Sequence, residues 1–184
     1  VDGLLLRNEW QAGAGGRLTF DLERRKDALE NQSTTPVQTD RHQDSLALGY
    51  SLRAGDHTVQ LNARRDDDSE FGVHNTGSVA YGYALTKALQ LTASAGSAFR
   101  VPTLFQRFSI YGTPDLKAET ARNAEAGLRW HAGTSRAGVV VYRNRVKDLI
   151  DYLAGPGNCV NGVGDFAGCY GNTGRATYSG VTLS

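Results

Sequence analysis

Apolar and polar residues alternate along most of this chain. In residues 17–25, Leu18, Phe20 and Leu22 share one side, while Thr19, Asp21, Glu23 and Arg25 share the other. The same two-residue period marks 45–52, where Leu46, Leu48, Tyr50 and Leu52 oppose Ser45, Ala47, Gly49 and Ser51. It recurs in 58–64, 78–85, 89–96 and 123–130, the last with Ala124, Ala126, Leu128 and Trp130 against Asn123, Glu125, Gly127 and Arg129. Successive side chains of a strand point to opposite faces, so the pattern predicts strands with one apolar and one polar face. Helical spacing is sustained nowhere, and the predicted fold class is all-β.

The connections between these segments alternate in length. Short ones fall near 13–16, 53–56, 86–88 and 131–136, and long ones near 26–40, 66–75, 98–118 and 151–170. A soluble sandwich has no reason to keep its long loops on one side. An outer-membrane barrel does, with short periplasmic turns and long extracellular loops. If the short turns are periplasmic, Trp10, Tyr50, Tyr83 and Trp130 all lie close to the periplasmic ends of downward strands. Rings with an apolar body and a polar tip collect at the lipid–water boundary, so these four are expected to form a girdle, with ordinary core aromatics as the alternative. The other face carries Asp21, Glu23, Arg25, Asn62, Arg64, Glu125 and Arg129. Such a set is too costly for a dry core without partners but suits a wide lumen that holds water or a plug. The expectation is a transmembrane antiparallel β-barrel, present in part as about nine strands.

Composition narrows the alternatives. Gly counts 22, Pro 4 and Met 0, and the mean hydropathy is −0.40. With 20 basic against 19 acidic residues the net charge is +1, which argues against a nucleic-acid partner. No run approaches the ~18 apolar residues of a transmembrane helix. The chain opens on Val1 and closes on Ser184 inside a predicted strand, so both ends are read as cut and the chain as a segment of something longer. Cys159 and Cys169 lie in a Gly- and Asn-rich stretch, which suits a disulfide-closed loop in an oxidising compartment, the alternative being two free thiols. His42, His57, His74 and His131 are scattered without metal-type spacing, and no nucleophile-elbow, Walker or dinucleotide motif is present. No enzymatic activity is expected.

Residues 96–127 carry a more specific signal. Ala98-Phe99-Arg100-Val101-Pro102-Thr103-Leu104, then Gly112-Thr113-Pro114-Asp115-Leu116-Lys117-Ala118-Glu119, then Asn123, Glu125 and Gly127 resemble a characteristic stretch of TonB-dependent receptors. Thr113 and Ala118 depart from the Asn and Pro usual there. Segments 64–72, 142–152 and 172–181 resemble the cobalamin-transporter branch of that family, and the likeness is weakest in 1–40. The resemblance implies a barrel of about 22 strands closed by an N-terminal plug. All of 1–184 would then belong to the barrel domain, with the plug and the C-terminal strands outside it. It further implies an outer-membrane location, surrounding lipid and lipopolysaccharide, and a TonB complex acting through a region that precedes this one. The implied function is energised uptake of a large nutrient, cobalamin or a related corrinoid. The alternatives are a siderophore or haem receptor of the same family, or a passive porin-like barrel.

Candidate contact residues follow from the loops. In 98–118, Tyr111, Phe108, Arg100 and Asp115 combine aromatic surface with polar groups, as a pocket for a large, partly apolar ligand needs. The plainer reading is that they anchor the loop to the barrel rim. Asp66, Asp67 and Asp68, with Glu70, crowd a predicted extracellular loop where carboxylates could hold calcium, but EF-hand spacing is absent and a solvated acidic loop is the plainer expectation. No other cofactor is expected.

Overall fold

The computed structural model describes residues 1–155 and 168–184. Its strands are β1 (Asp2–Gln11), β2 (Gly16–Glu30), β3 (Gln38–Ala54), β4 (His57–Asp68), β5 (Gly72–Ala84), β6 (Leu89–Arg100), β7 (Glu119–Ala132), β8 (Ser135–Leu153) and β9 (Cys169–Leu183). One short helix, α1 (Leu104–Phe108), lies between β6 and β7. The nine strands form a single sheet in chain order, every neighbour antiparallel. Two-residue turns close β3–β4 at Gly55-Asp56 and β7–β8 at Gly133-Thr134. Gly55 and Gly133 hold φ of 57° and 58°, the left-handed first position that a type II′ hairpin turn requires.

Directly paired residues of neighbouring strands share a face, so the register sorts the side chains. Trp10, Leu18, Tyr50 and Leu61 lie opposite one another across β1–β4, and Leu89, Trp130 and Ala137 across β6–β8. The four aromatics expected in a girdle are thus on the apolar face, within four residues of the short-turn ends of their strands. That face stays uncovered: Leu48 is 48 % exposed, Leu61 45 % and Val141 49 %. An apolar face this broad has no place in water and calls for lipid.

The ladders run further than the alternation indicated. β3 has 17 residues and β8 has 19, against the ~9–11 that a tilted membrane crossing needs. The predicted 26–40 loop shrinks to 31–37, and the predicted 66–75 loop to 69–71. Above the apolar belt both faces carry charge, as in Arg24-Arg25-Lys26-Asp27 and Arg64-Arg65-Asp66-Asp67-Asp68, so the two-residue period disappears from the sequence while the strand continues. The β5–β6 ladder is the exception. It joins only Ser78–Ala84 to Gln90–Gly96, and beyond Ser78 the two strands part.

The 98–118 stretch, expected as a loop, contributes the end of β6, helix α1 and a return to β7. Thr103 and Gln106 form a reciprocal capping box: Gln106 N donates to Thr103 Oγ1 at 3.1 Å and Thr103 N to Gln106 Oε1 at 2.9 Å. Val101, Leu104 and Leu116 from this stretch are buried, as are Val146 and Ile150 on β8. The little apolar core there is lies at the long-loop end.

Candidate functional site

Residues 101–118 form a strap across the long-loop end of the sheet. Toward β2–β5 it is held by Thr35 N donating to Phe108 O at 2.9 Å, by a bridge between Thr34 and Ser109, and by an ion pair from Arg107 to Glu70. The Arg107 guanidinium also lies 5.1 Å from the Phe71 ring centre and 4.8 Å from that of Phe108, within cation–π range. Toward β8–β9, Tyr170 N donates to Tyr111 O at 2.9 Å, Thr113 Oγ1 to Tyr170 O at 2.6 Å, and Lys117 N to Asn172 Oδ1 at 2.8 Å.

Beneath the strap sits Arg41, 4 % exposed on the polar face of β3. Its Nη1 donates to Pro102 O at 2.8 Å and its Nη2 to Asp27 Oδ2 at 2.8 Å. Its Nε faces Asp68 Oδ2 at 3.4 Å, an ion pair that falls short of a hydrogen bond. One guanidinium thereby ties β2, β3 and β4 to the strap. A second cluster lies one step down the lumen face: Arg64 bonds Glu23 and Asp66, each at 2.8 Å, and Asp66 also accepts from Ser45 and Gln43. Between this charged wall and Phe105 of α1 lies a cavity of about 620 Å³, lined by Arg25, Asp27, Arg41, Arg64 and Asp66.

The residues singled out from sequence separate into two kinds. Tyr111 is half-buried in an aromatic chain at the rim, its ring edge-on to Tyr152 at 6.0 Å, with Tyr152 in turn 5.5 Å from Tyr170. Phe108 is half-buried under Arg107, and Asp115 is exposed on the strap. Arg100 anchors the strap's base and also lines the cavity beneath it. It lies opposite Glu119 and donates to both its oxygens at 2.7 Å, while Glu119 Oε1 also takes Ile150 N at 2.6 Å. Two residues of the 96–127 motif thus close the strap. Replacing Glu119 with Gln keeps an acceptor for Ile150 N but removes the charge opposite Arg100. It should loosen this base by about 1–2 kcal/mol, read as faster proteolysis within 101–118 of the parent protein with barrel folding unchanged.

The acidic cluster needs correction. Asp66, Asp67 and Asp68 belong to β4 and not to an extracellular loop, because the ladder with β3 runs on to Asp68. Asp66 and Asp68 are 2 % and 1 % exposed on the lumen face, and Asp67 alternates to the other. Asp68 Oδ1 accepts from Glu70 N and Phe71 N and so closes the 69–71 turn. The three carboxylates do not converge, and among the described residues no group of three or more His, Cys, Asp or Glu is placed to hold a metal ion. The Cys159–Cys169 pairing involves Cys159, which lies outside the described residues; Cys169 opens β9 and is buried. Sequence reasoning passed over Arg41 altogether. Its role depends on the register that sets it between Asp27 and Asp68, which no local pattern reveals.

The family model for the TonB dependent receptor-like β-barrel matches residues 3–184. The chain belongs to this family. The family comprises outer-membrane receptors and transporters of Gram-negative bacteria, not enzymes. The vitamin B12 transporter BtuB of Vibrio vulnificus (strain YJ016) is 36 % identical over 102 residues, covering 54 % of this chain and 17 % of that protein. Among solved structures, the siderophore receptor PirA from Pseudomonas aeruginosa superposes with a TM-score of 0.85 at 22 % identity, covering 98 % of this chain and 36 % of that one. The FrpB iron transporter from Neisseria meningitidis superposes with a TM-score of 0.73 at 16 % identity, covering 98 % and 33 %. The chain therefore spans about a third or less of the family members it matches. In family terms the apolar face is the lipid-facing wall, the polar face lines the lumen, and the strap lies at the extracellular mouth.

Proposed function

We propose that this chain forms part of the wall and mouth of a receptor for TonB-energised uptake of cobalamin or a related corrinoid. The strap carries the reading. It sets the tyrosines 111, 152 and 170 at the rim beside a lumen wall rich in charge, a combination suited to a large ligand with both apolar and polar surface. Support for the corrinoid comes from the 36 % identity, over 102 residues, to a vitamin B12 transporter. The fold likeness to those receptors supports the second reading, a ferric siderophore as ligand.

Equilibrium dialysis of the parent protein in detergent, with calcium present, separates the two. Cobalamin binding tighter than about 1 μM supports the first reading. Binding of a ferric siderophore and not of cobalamin replaces it with the second. On the first reading, Tyr111→Ala removes a rim aromatic and should weaken cobalamin binding by about tenfold, ~1.4 kcal/mol. The Cys159–Cys169 disulfide belongs to the same proposal, as a tether of the adjoining loop in an oxidising compartment. Intact-mass analysis after alkylation should find both thiols blocked until a reductant is added; alkylation without reductant would remove the tether.

A further inference from the structure

Toward the long loops, the lipid-facing side ends in a zone of charge whose sign differs along the sheet. Over β2–β4 it is mixed in sign, and four of its charges pair: Arg24 meets Asp44 directly opposite at 3.3 Å, and Lys26 reaches Asp40 at 2.7 Å, beside Arg65 and Asp67 of β4. Over β7–β9 the outward basic charges are Arg122, Arg143, Arg145, Lys147 and Arg175, all exposed, with Asp151 the acid further along the same side of β8. Their side is fixed by the ladders that also pair Trp130 with Ala137 and Leu128 with Val139. Among the described residues, none of the five has a carboxylate within ion-pairing distance. Arg122 lies directly opposite Arg145, and Lys147 directly opposite Arg175. Like charges in direct cross-strand register repel, and two such pairs side by side call for an anion from outside.

The structure also provides a place for one. Where β5 and β6 part beyond Ser78, a cavity of about 490 Å³ opens, lined by Ser97, Thr120, Arg122, Arg145, Lys147 and Arg175 among others. Its height is set by the aromatic girdle. Arg145 lies eight residues along β8 from Ala137, the partner of Trp130. At ~3.3 Å per residue on a strand tilted by ~45°, that is about 19 Å. Lys147 and its partner Arg175 stand about 5 Å higher, near the outer edge of an apolar band ~25 Å tall. This is the level of lipid headgroups, on the side of the wall turned away from the lumen and its nutrient.

We propose that this cleft binds the phosphate groups of a glycolipid of the outer leaflet. A phosphomonoester brings up to two negative charges and several acceptor oxygens, which guanidinium and ammonium groups meet with charge-assisted hydrogen bonds. The hydroxyls of Ser97 and Thr120 add neutral donors at the same opening. The inference rests on the chain's place in the barrel wall and is independent of the nutrient transported.

The test is native mass spectrometry of the parent protein in nonionic detergent, titrated in turn with a diphosphorylated glycolipid, its dephosphorylated form, and phosphatidylglycerol. The diphosphorylated glycolipid should bind at least about tenfold more tightly than the other two, and added salt should narrow the gap. R122Q/R145Q/K147Q/R175Q should lose that preference. R24Q/K26Q, which touches only paired charges over β2–β4, should keep it, and so should R122K/R145K/R175K, which preserves the charge. If the quadruple variant fails to fold, the lipid comparison on the unaltered protein and the lysine variant still decides. Equal affinity for the phosphorylated and dephosphorylated forms, phosphatidylglycerol bound as tightly as the glycolipid, or a folded quadruple variant with unchanged preference would each overturn the proposal.

Discussion

Replacing Arg41 with Met should cost about 3–5 kcal/mol of stability at the long-loop end, the penalty typical of removing one partner from a buried charge cluster. Met fills much of the volume, so the loss is electrostatic and not a cavity. Asp27 would be left beside Arg25 alone, and Asp68, whose side chain is fully buried, would face no cation at all. Pro102 O would lose its donor, and with it the strap's link to β3. The expected result is a parent protein that still folds and inserts, since the ladders are untouched, but whose 101–118 segment is cut by protease under conditions where the unaltered protein resists. Adding Asp27→Asn and Asp68→Asn should return part of the loss, because the remaining polar groups no longer carry buried charge. Full resistance of the single variant would show that the strap is held without Arg41.

The second large effect belongs to the opposite face. Leu48 sits mid-belt on β3 between Tyr50 and Leu46 and is 48 % exposed. In a soluble protein an exposed leucine is replaced at almost no cost. In a lipid-facing belt, Leu48→Arg should destabilise the folded protein by about 2–4 kcal/mol, measured from the denaturant dependence of folding into bilayer vesicles. Gln43→Arg, close to the extracellular rim, should cost far less if the lumen is wet. A neutral outcome at Leu48 would mean that this face is covered by something other than lipid.

Legibility in the sequence followed the physics of each face. Between the aromatic girdle and the first outward charge, Leu18, Phe20 and Leu22 alternate with Thr19, Asp21 and Glu23, and the strand reads directly from the chain. Higher up, Asp66 and Asp67 point to opposite faces yet look identical in sequence, so a strand end passed for an acidic loop. Helix α1 went unread, because five residues are too short to show a period of 3.6 and its Thr103–Gln106 capping box is recognised only once the helix is in view. Tyr111 stands out in the sequence because aromatics in a Gly- and Pro-bearing loop are conspicuous, and the structure sets its ring at the rim beside Tyr152. Arg41 and the basic wall over β7–β9 were not found, since both exist only once the register has set distant residues side by side.

The strap also separates two stages of assembly. Each strand pairs only with its neighbours in the chain, so the sheet can be laid down hairpin by hairpin with modest loop-closure cost. The contacts that seat the strap reach much further: 61 residues from Arg41 to Pro102 and 57 from Thr113 to Tyr170. They cannot form until the strands between have taken their places. These nine strands can therefore stand side by side while the rim above them is still loose, and whatever the mouth recognises meets a surface seated only after the wall beneath it.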